Sequence, residues 1–515
     1  MVARIRSRFV GGRKWVGAAF CVAALAACDG LLDVESPHLI TGDDLADPSN
    51  AQAQVYSAIA MFECGYSAFG WVALGHEDVL ESVAGVAGTV HVFRSTPFTG
   101  VCDASQSSGA WFDQLMGSRA MLSNAGGTGV YDRLQGAWSL GPEGERLSAI
   151  AAIYMAAALS HFGEFFCEVT FDGGDLLTPD EVLAMAEDWI TNRALVHIAN
   201  FGDFVLPNGI STSAQTMAIG LRARIRWARG DLVGAVADAE AVPPGFTAWV
   251  TREAGSTRRK KIFDSGTSGG FSRMIGVNSW WNPASRRPNA ATGQLWPDPI
   301  PFTGYIFLGV MPDGRAVDDN GYPVRWAQEV RSPQPFSLPI PLGNGATPDV
   351  RVPHIFRSIS GPSPPDVPNT YRSVADDIPL VDWEEMWLIR AEQAGGQTAI
   401  DLANELRTVA GVPLITYVDG ATATAQQIRY MLLEERRRAF FTDAGRYWST
   451  KIRNTDVLWF PRGEGRTASG VYDLQGGVRL ALPDNEYLTN PFLVARGGLA
   501  VRGTGCDPAE APVFP

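Results

Sequence analysis

The side chains in this sequence that are best suited to bind a ligand are aromatic, and they gather in a long Gly- and Pro-rich segment, residues 243–379. The aromatic members are Trp280, Trp281, Trp296, Tyr305 and Trp326. Amide and guanidinium groups lie between or beside them in the sequence, at Asn278, Asn282, Arg286, Arg287 and Asn289. A sugar presents apolar C–H faces and a rim of hydroxyl groups, so flat rings with polar neighbours suit it. The pattern predicts an oligosaccharide-binding surface on these five aromatic residues.

Two alternatives to this surface stay open from the sequence. A segment this long needs some hydrophobic packing of its own, so each Trp could equally serve as local core. A second Gly-rich segment, Gly75–Ser107, offers the polar side chains of His76, Glu77, Asp78 and Arg94. A ligand groove could draw on either segment, and the sequence does not choose between them.

Catalytic and metal-binding patterns are sparse. Residues 266–270 have the spacing of a nucleophile elbow, but no clear apolar strand precedes them and the run is typical of a loop. The sequence contains no HExxH pattern and no phosphate-loop or dinucleotide-binding glycine motif. Carboxylates are plentiful, but a glycosidase pair is defined by its separation in space. We therefore expect a protein that is not an enzyme, with no catalytic residue, no metal and no cofactor.

The N-terminal segment has the features of a leader for an exported lipoprotein. A basic region is followed by an apolar run, Trp15–Ala27, that is too short to span a bilayer. Leu25-Ala26-Ala27-Cys28 then resembles a bacterial lipobox, in which the cysteine thiol carries diacylglycerol. We expect residues 1–27 to be removed and Cys28 to hold the mature protein at a membrane surface through its acyl chains. An ordinary signal peptide with a chance cysteine is the alternative.

The cysteines outside the leader and lipobox are Cys64, Cys102, Cys167 and Cys506. None has the spacing of a zinc site, and in an exported protein an even number favours disulfides. Three pairings are possible. Cys64 with Cys102 closes the shortest loop and is our preference, with buried free thiols as the alternative.

Composition predicts a folded protein and excludes several classes. Of 515 residues, 46% are hydrophobic and 19% are charged, which is enough apolar material for a large core. The formal charge of −13 becomes −18 once the five basic residues of the leader are removed. An acidic chain of this kind is not expected to bind nucleic acid.

Hydrophobic periodicity predicts a mainly α protein with long irregular insertions. A helix should begin at Ala51, after the cap residues 47–50, and extend to Phe62. Further helices are expected near 108–124, 143–163, 179–200, 214–229, 232–241, 381–394, 397–409 and 424–442. The pairs at 214–241 and 381–409 carry small residues four apart in their second helices, as in the helical hairpins of tetratricopeptide repeats. The stretches 65–107, 243–379 and 457–515 should be irregular.

The C-terminal third resembles the SusD/RagB family in the order of its motifs. These are Leu388-Ile389-Arg390-Ala391-Glu392, Ala399–Asn404, Leu406-Arg407, Gly411-Val412, Glu435-Arg436, Phe440-Phe441, Gly445-Arg446, Trp448, Leu482–Glu486 and Asn490-Pro491. The lipobox, the following Leu31-Leu32-Asp33, the helix around 153–163 and the Ala-rich pair at 217–241 match in order as well. One departure is Asp443-Ala444-Gly445, where the family usually has Glu-Gly shortly before the Arg. Residues 243–379 match nothing common to the family.

The resemblance implies one SusD-like helical domain over residues 28–515. It also implies a nutrient-binding lipoprotein of the cell outer membrane that faces outside and delivers its ligand, an oligosaccharide or another nutrient, to a SusC-like TonB-dependent transporter. Asp29, next to the lipobox cysteine, keeps some bacterial lipoproteins at the inner membrane, so anchoring is a firmer expectation than the side of the envelope. A secreted glycan-active hydrolase and a helical-repeat scaffold of the envelope are the alternative functions.

Glu435 falls on the apolar stripe of its helix, seven residues after Ile428. A buried carboxylate needs a partner, so we expect a structural ion pair with Arg438 or Arg446. Arg436, Arg437 and Arg438 should form a solvated or ion-paired helix face.

The lipobox can be tested by replacing its only acceptor. The Cys28→Ser variant should be exported without lipid, because no other thiol lies in the motif. Metabolic labelling with radioactive palmitate measures this directly. Label that persists in the variant would contradict the lipoprotein assignment.

Overall fold

The computed structural model describes residues 42–77, 80–82, 111–254, 275–277, 351, 354–356, 366–368, 373, 375–416, 418–455, 464–467, 470–473 and 479–502. Helices dominate these residues and the strands are short, so the predicted mainly α class is confirmed.

The first of two compact units ends at Asn50, and the structure describes its residues 42–50. These residues form helix α1 (Gly42–Ala46) and a 3-10 turn, Pro48–Asn50. The carboxylate of Asp47 accepts a hydrogen bond of 2.8 Å from the backbone N–H of Ser49, which is the capping role predicted for this segment.

The second unit, which begins at Ala51, contains the remaining elements. Its helices are α2 (Ala51–His76), α3 (Trp111–Leu122), α4 (Val130–Gln135), α5 (Gly141–Phe165), α6 (Pro179–Trp189), α7 (Leu195–Phe201), α8 (Ala214–Arg229), α9 (Leu232–Ala239), α10 (Trp383–Ala394), α11 (Gly396–Ala410), α12 (Ala425–Ala439), α13 (Arg446–Arg453), α14 (Asp484–Thr489) and α15 (Pro491–Arg496). A π-helical turn, Ile190–Ala194, joins α6 to α7.

The strands pair two by two. They are β1 (Leu80–Ser82), β2 (Thr247–Val250), β3 (Ile275–Val277), β4 (His354–Phe356), β5 (Asp366–Pro368), β6 (Ile378–Asp382), β7 (Glu464–Thr467) and β8 (Gly470–Asp473). The antiparallel pairs are β1 with β3, β2 with β6, β4 with β5, and β7 with β8.

The two predicted helical hairpins are confirmed as α8–α9 and α10–α11. Ala235 and Ala239 in the first, and Ala399 and Ala403 in the second, are fully buried. Side chains this small let the paired helices approach closely. The turn of the first hairpin is built by Asp231, whose carboxylate caps α9 by accepting from Gly234 N–H at 2.9 Å.

Helix α2 continues 14 residues past the predicted end at Phe62. The sequence suggests a loop from Gly65 onwards, but this glycine serves a different purpose. A Cβ atom at Gly65 would lie 2.9 Å from the carbonyl oxygen of Trp111 and 2.8 Å from Leu115. Glycine is therefore required where α2 and α3 touch, and it does not end the helix.

Helix α5 is the centre of the core. Among the described residues it is the one helix long and apolar enough to cross a bilayer, and its most apolar window is completely buried. Around its C-terminal half lies an aromatic cluster in which His161 packs edge-on against Phe69 at 4.0 Å and Phe165 contacts Trp448 at 4.8 Å. Burial lowers the pKa of His161 well below its usual value, so this side chain is a neutral member of the cluster.

The C-terminal segment is more regular than predicted. Residues 457–515 were expected to be irregular, but α14 and α15 lie within them and are followed by a 3-10 turn, Gly498–Val501. Asn490 caps α15 by accepting from Phe492 N–H at 2.9 Å. The short helices were missed because neither is long enough to show a helical period.

Four helices meet at a buried ionic centre, which we define as Arg446, Glu164, Glu385 and Arg224. Arg446 donates to Glu164 at 3.1 Å and lies 3.6 Å from Glu385. Arg224 donates to Glu385 through Nε at 2.8 Å. Burial opposes ionisation of Glu385, but the charges of Arg224 and Arg446 outweigh it and lower its pKa. The centre holds two cations and two anions, so its formal charge is zero.

The predicted partners of Glu435 are wrong. Glu435 pairs with Arg407, whose Nε lies 3.0 Å away, and with Arg351 at 2.7 Å. Arg438 instead pairs with Glu434, and Arg446 belongs to the ionic centre. The prediction considered only nearby sequence, whereas both true partners come from elements that folding brings to the helix.

The three arginines that follow Glu435 are ion-paired, as expected, but they are buried and not solvated. Arg437 and Arg438 share Glu434, each at 2.7 Å. Arg436 and Arg453 lie on the ring of Trp227, at 4.4 and 4.6 Å from its centroid, and both reach Glu392 at 3.3 Å. The arginine face of α12 is therefore an interface with the other helices.

Neutralising Glu385 should destabilise the whole helical body. In Glu385→Gln the buried guanidinium of Arg224 loses its carboxylate, which should lower the free energy of unfolding by about 3–5 kcal/mol. Urea denaturation followed by circular dichroism measures the loss.

The matched control is Asp175→Asn, which removes a carboxylate from an ion pair with Arg496 whose side chains are 52% and 51% exposed. This change should cost less than about 1 kcal/mol. Equal losses in the two variants would show that the ionic centre is not a stabilising element.

Candidate functional site

The two segments that the sequence offered as ligand sites are joined by backbone hydrogen bonding. Strand β1 comes from the first segment and pairs with β3 of the second, with Leu80 opposite Val277 and Ser82 opposite Ile275. Strand β5 lies beside β3 and pairs with β4. The described strands of both segments therefore belong to one region, and which of the two supplies the ligand contacts stays a prediction.

The predicted ligand residues Trp280, Trp281, Trp296, Tyr305 and Trp326 all lie outside the described residues, as do Cys28 and the run 266–270. Their roles stay predictions. Strand β3 ends at Val277, three positions before Trp280 in the sequence. The pairing of β1 with β3 is thus the described feature that lies nearest to the predicted Trp pair along the chain.

The long insertion leaves and rejoins the helical body at one place. Strand β2 precedes it and pairs with β6, which follows it. Just beyond β2, the buried carboxylate of Glu63 accepts from Thr251 N–H and from the Arg252 guanidinium, both at 3.1 Å. The Arg252 backbone N–H donates to Asp377 at 2.6 Å. These bonds fix both ends of the insertion to α2.

Further along, Arg351 returns to the helical body. Its guanidinium donates to Glu435 on α12 at 2.7 Å, and the same carboxylate accepts from Arg407 on α11. Burial raises the pKa of Glu435, but the two arginines outweigh it and hold the pKa below its ordinary value. A charged carboxylate shared by two guanidinium groups therefore connects this part of the chain to α11 and α12.

Asp382 and Glu384 form a carboxyl pair where β6 passes into α10. Burial raises the pKa of Asp382 to about 6, against hydrogen bonds from Glu384 N–H and the Thr247 hydroxyl. Burial and the charge of Asp382 raise the pKa of Glu384 to about 7, while Arg351 acts to lower it. Asp382 accepts from Glu384 N–H at 2.7 Å, so it acts as the N-cap of α10.

Glu77, which the sequence offered as a possible ligand contact, is buried and has a structural role instead. Its Oε1 accepts from the N–H groups of Tyr447 and Trp448, both at 3.2 Å, in the first turn of α13. Burial raises its pKa to about 8, although these N–H groups and the charges of Lys451 and Arg446 oppose the shift. The carboxyl group ties the end of α2 to α13 immediately before the β1 segment begins.

The other predicted chemistry can be checked in part. Cys64 and Cys167 both form disulfide bonds, which confirms the prediction of disulfides for these two residues. Cys102 and Cys506 lie outside the described residues, so the preferred pairing stays a prediction. In the described part of the chain, no group of three or more His, Cys, Asp or Glu side chains is arranged to hold a metal ion.

The site residues that sequence reasoning missed are Arg351, Arg252, Glu63 and Glu384. Each is a single charged residue without a motif around it. Their significance comes from partners on distant elements, for example Arg252 on Glu63, which lies 189 positions earlier. Only the tertiary fold provides that signal.

Comparison with known proteins supports the architecture. No family model matches the chain, and no curated protein is detectably similar to it in sequence. Solved structures of the SusD superfamily are similar in fold. One from Bacteroides vulgatus is 13% identical, with a TM-score of 0.53 over 86% of this chain and 97% of that one. NanU of Bacteroides fragilis is 11% identical, with a TM-score of 0.53 over 89% and 98%.

Another SusD superfamily protein from Bacteroides fragilis is 10% identical, with a TM-score of 0.51 over 87% of this chain and 99% of that one. The chain therefore has the SusD-like helical fold that its sequence motifs indicated. At these identities the likeness concerns the fold, and each neighbour is matched over nearly its full length.

The pH dependence of stability should reveal Glu77. Its pKa is raised from 4.5 to about 8 by folding, so between these values the folded chain keeps a proton that the unfolded chain has lost. The contribution of Glu77 to the free energy of unfolding is therefore largest below about pH 4.5. It decreases as the pH rises to about 8, by at most about 1.4 kcal/mol per pH unit. Glu77→Gln removes that fall and keeps the oxygen that accepts from α13.

Urea unfolding between pH 5 and 8 should therefore show the variant gaining stability relative to the original chain as pH rises. Replacing the exposed Glu240 by Gln should leave the profile unchanged. Parallel profiles for Glu77→Gln and the original chain would contradict the assignment.

Proposed function

We propose that this protein is a lipoprotein of the outer membrane that binds an oligosaccharide on the aromatic side chains of the insertion and passes it to a SusC-like TonB-dependent transporter. In this proposal Trp280, Trp281, Trp296, Tyr305 and Trp326 form the binding surface. Cys28 carries the lipid anchor. The SusD-like fold is the observation that carries the proposal, because it agrees with the sequence motifs and the lipobox in pointing to one kind of protein.

The arrangement of the described residues is consistent with a binding role. A rigid helical body presents two insertions, and binding residues are commonly found on segments held by such a scaffold. The ends of the long insertion are fixed to α2 through Glu63, Arg252 and Asp377. Strand pairing between β1 and β3 then brings the two insertions together.

The carboxyl pair at Asp382 and Glu384 is the described feature closest to a hydrolase site, since glycosidases use two carboxyl groups with different pKa values. Its hydrogen bonds favour a structural role. Asp382 caps α10 and also accepts from the Thr247 hydroxyl at 3.1 Å. These bonds give Asp382 a structural role where β6 passes into α10, and we propose binding without turnover.

Ligand binding is tested on single Trp variants with a panel of neutral and acidic oligosaccharides. Alanine at Trp280, Trp281, Trp296 or Trp326 should weaken binding by about 1–3 kcal/mol if the ring is a contact. The free energy of unfolding should change little. Calorimetric titration gives the affinity, and urea denaturation gives the stability.

The matched control is Trp227→Ala, because Trp227 is a buried ring between Arg436 and Arg453. It should destabilise the fold by about 3–5 kcal/mol. If all four insertion variants behave like this control and none alters affinity, the insertion is not the binding surface. Hydrolysis of a glycan by the purified chain would favour the hydrolase alternative.

A further inference from the structure

Arg351 lies where it can control the position of the strands on either side of the predicted ligand residues in the sequence. Strand β4 begins three residues after Arg351. It pairs with β5 through Ile355 and Val367, and β5 lies beside β3. Strand β3 pairs with β1 and ends three positions before Trp280. Three strands that lie side by side, β4, β5 and β3, therefore link the chain next to Arg351 with the edge of the proposed binding segment.

Arg351 is held by a buried ion pair. Its side chain is 8% exposed, and it meets a Glu435 carboxylate with no exposed surface at 2.7 Å. Water competes little for charges at this depth, so the pair is screened weakly. Glu384 adds a second carboxyl group that acts on Arg351.

Because Glu435 also pairs with a second arginine, Arg351 can be removed without unfolding the helical body. Arg407 donates to the same carboxylate through Nε at 3.0 Å and also to the carbonyl oxygen of Pro413 at 2.6 Å. If Arg351 is removed, Glu435 keeps Arg407 as its cation, and Glu384, whose pKa is about 7, can take up a proton. The helical body should then stay folded while the β4–β5 pair loses the ion pair that Arg351 makes with α12.

We propose that Arg351 is a positioning residue, whose ion pair with Glu435 seats strands β4, β5 and β3 on the helical body and thereby sets the affinity for the ligand. The part of this proposal that concerns affinity rests on the proposed function. Arg351 does not itself need to touch the ligand. It acts by reducing the number of arrangements that the strands can adopt before the ligand binds, which lowers the entropic cost of binding.

The test uses the full chain and the variants Arg351→Gln and Arg351→Lys. Amide hydrogen exchange in the peptides that contain β3, β4 and β5 is the first measurement, without any ligand. Arg351→Gln should exchange there about tenfold faster, because the local opening becomes easier. Arg351→Lys keeps the positive charge with fewer donors and should restore part of the protection. The urea midpoint of the helical signal should be unchanged in both variants.

The matched control is Arg496→Gln, which removes the same kind of side chain from the exposed pair with Asp175. It should exchange in β3, β4 and β5 like the original chain. The second measurement is oligosaccharide affinity, which should fall about tenfold in Arg351→Gln and recover partly in Arg351→Lys.

The outcomes separate this proposal from the proposed function. Unchanged exchange in Arg351→Gln overturns the positioning role, whatever the affinity. A lowered urea midpoint with the exchange increase spread over all helices also overturns it, because Arg351 would then be a general stabilising residue. Faster exchange confined to the strands supports the seating of the strands even if the original chain binds no oligosaccharide, a result that would count against the proposed function alone.

Discussion

The fold depends on the requirement that buried charges be paired. Arg446 sits in the core against Glu164 and Glu385, and Glu385 also holds Arg224. These residues come from α13, α5, α10 and α8, so the helices must assemble in one arrangement for any of the charges to be stable. Leaving one of them unpaired in this interior would cost several kcal/mol. The four helices can therefore pack together only in an arrangement that pairs all four charges.

The turn before Arg446 has an unfavourable backbone conformation that the surrounding packing maintains. Thr442, Ala444 and Gly445 all have positive φ, at 70°, 42° and 97°. This conformation is unfavourable for threonine and alanine and persists only when the surroundings require it. At Gly445 a Cβ atom would lie 2.9 Å from the Phe165 ring and 3.0 Å from Phe69. The turn delivers Arg446 to Glu164 directly beside the aromatic cluster, and the packing on both sides holds it in place.

Buried carboxyl groups also hold the chain where the segments 75–107 and 243–379 join the helical body. Glu63 holds Arg252 at the start of the long insertion, Glu435 holds Arg351 near its end, and Glu77 caps α13 just before the first insertion. Each contact fixes a point of the chain in one of these segments, which reduces the conformational freedom of the backbone there. The helical body thus holds the chain next to the proposed binding region through buried carboxyl groups.

Sequence reasoning succeeded for elements whose signals are local. The helices at 214–229 and 397–409 and the small residues of both hairpins follow from periodicity, caps and spacing, which a single segment contains. The SusD-like fold was indicated by the resemblance of the motif order to that family. The candidate ligand residues come from the sequence alone, as a cluster of aromatic types, and their role stays a prediction.

The sequence did not determine which distant groups meet. The sequence around Gly65 predicts a loop, because the close contact of this glycine with α3 cannot be inferred from α2 alone. Glu435 was given neighbours in its own region, whereas its partners are Arg407 and Arg351. The pairing of β1 with β3 joins segments nearly 200 residues apart and has no sequence signature. Such contacts depend on the desolvation of charges and the packing of surfaces after the chain has folded, and for that reason only the tertiary structure decided them.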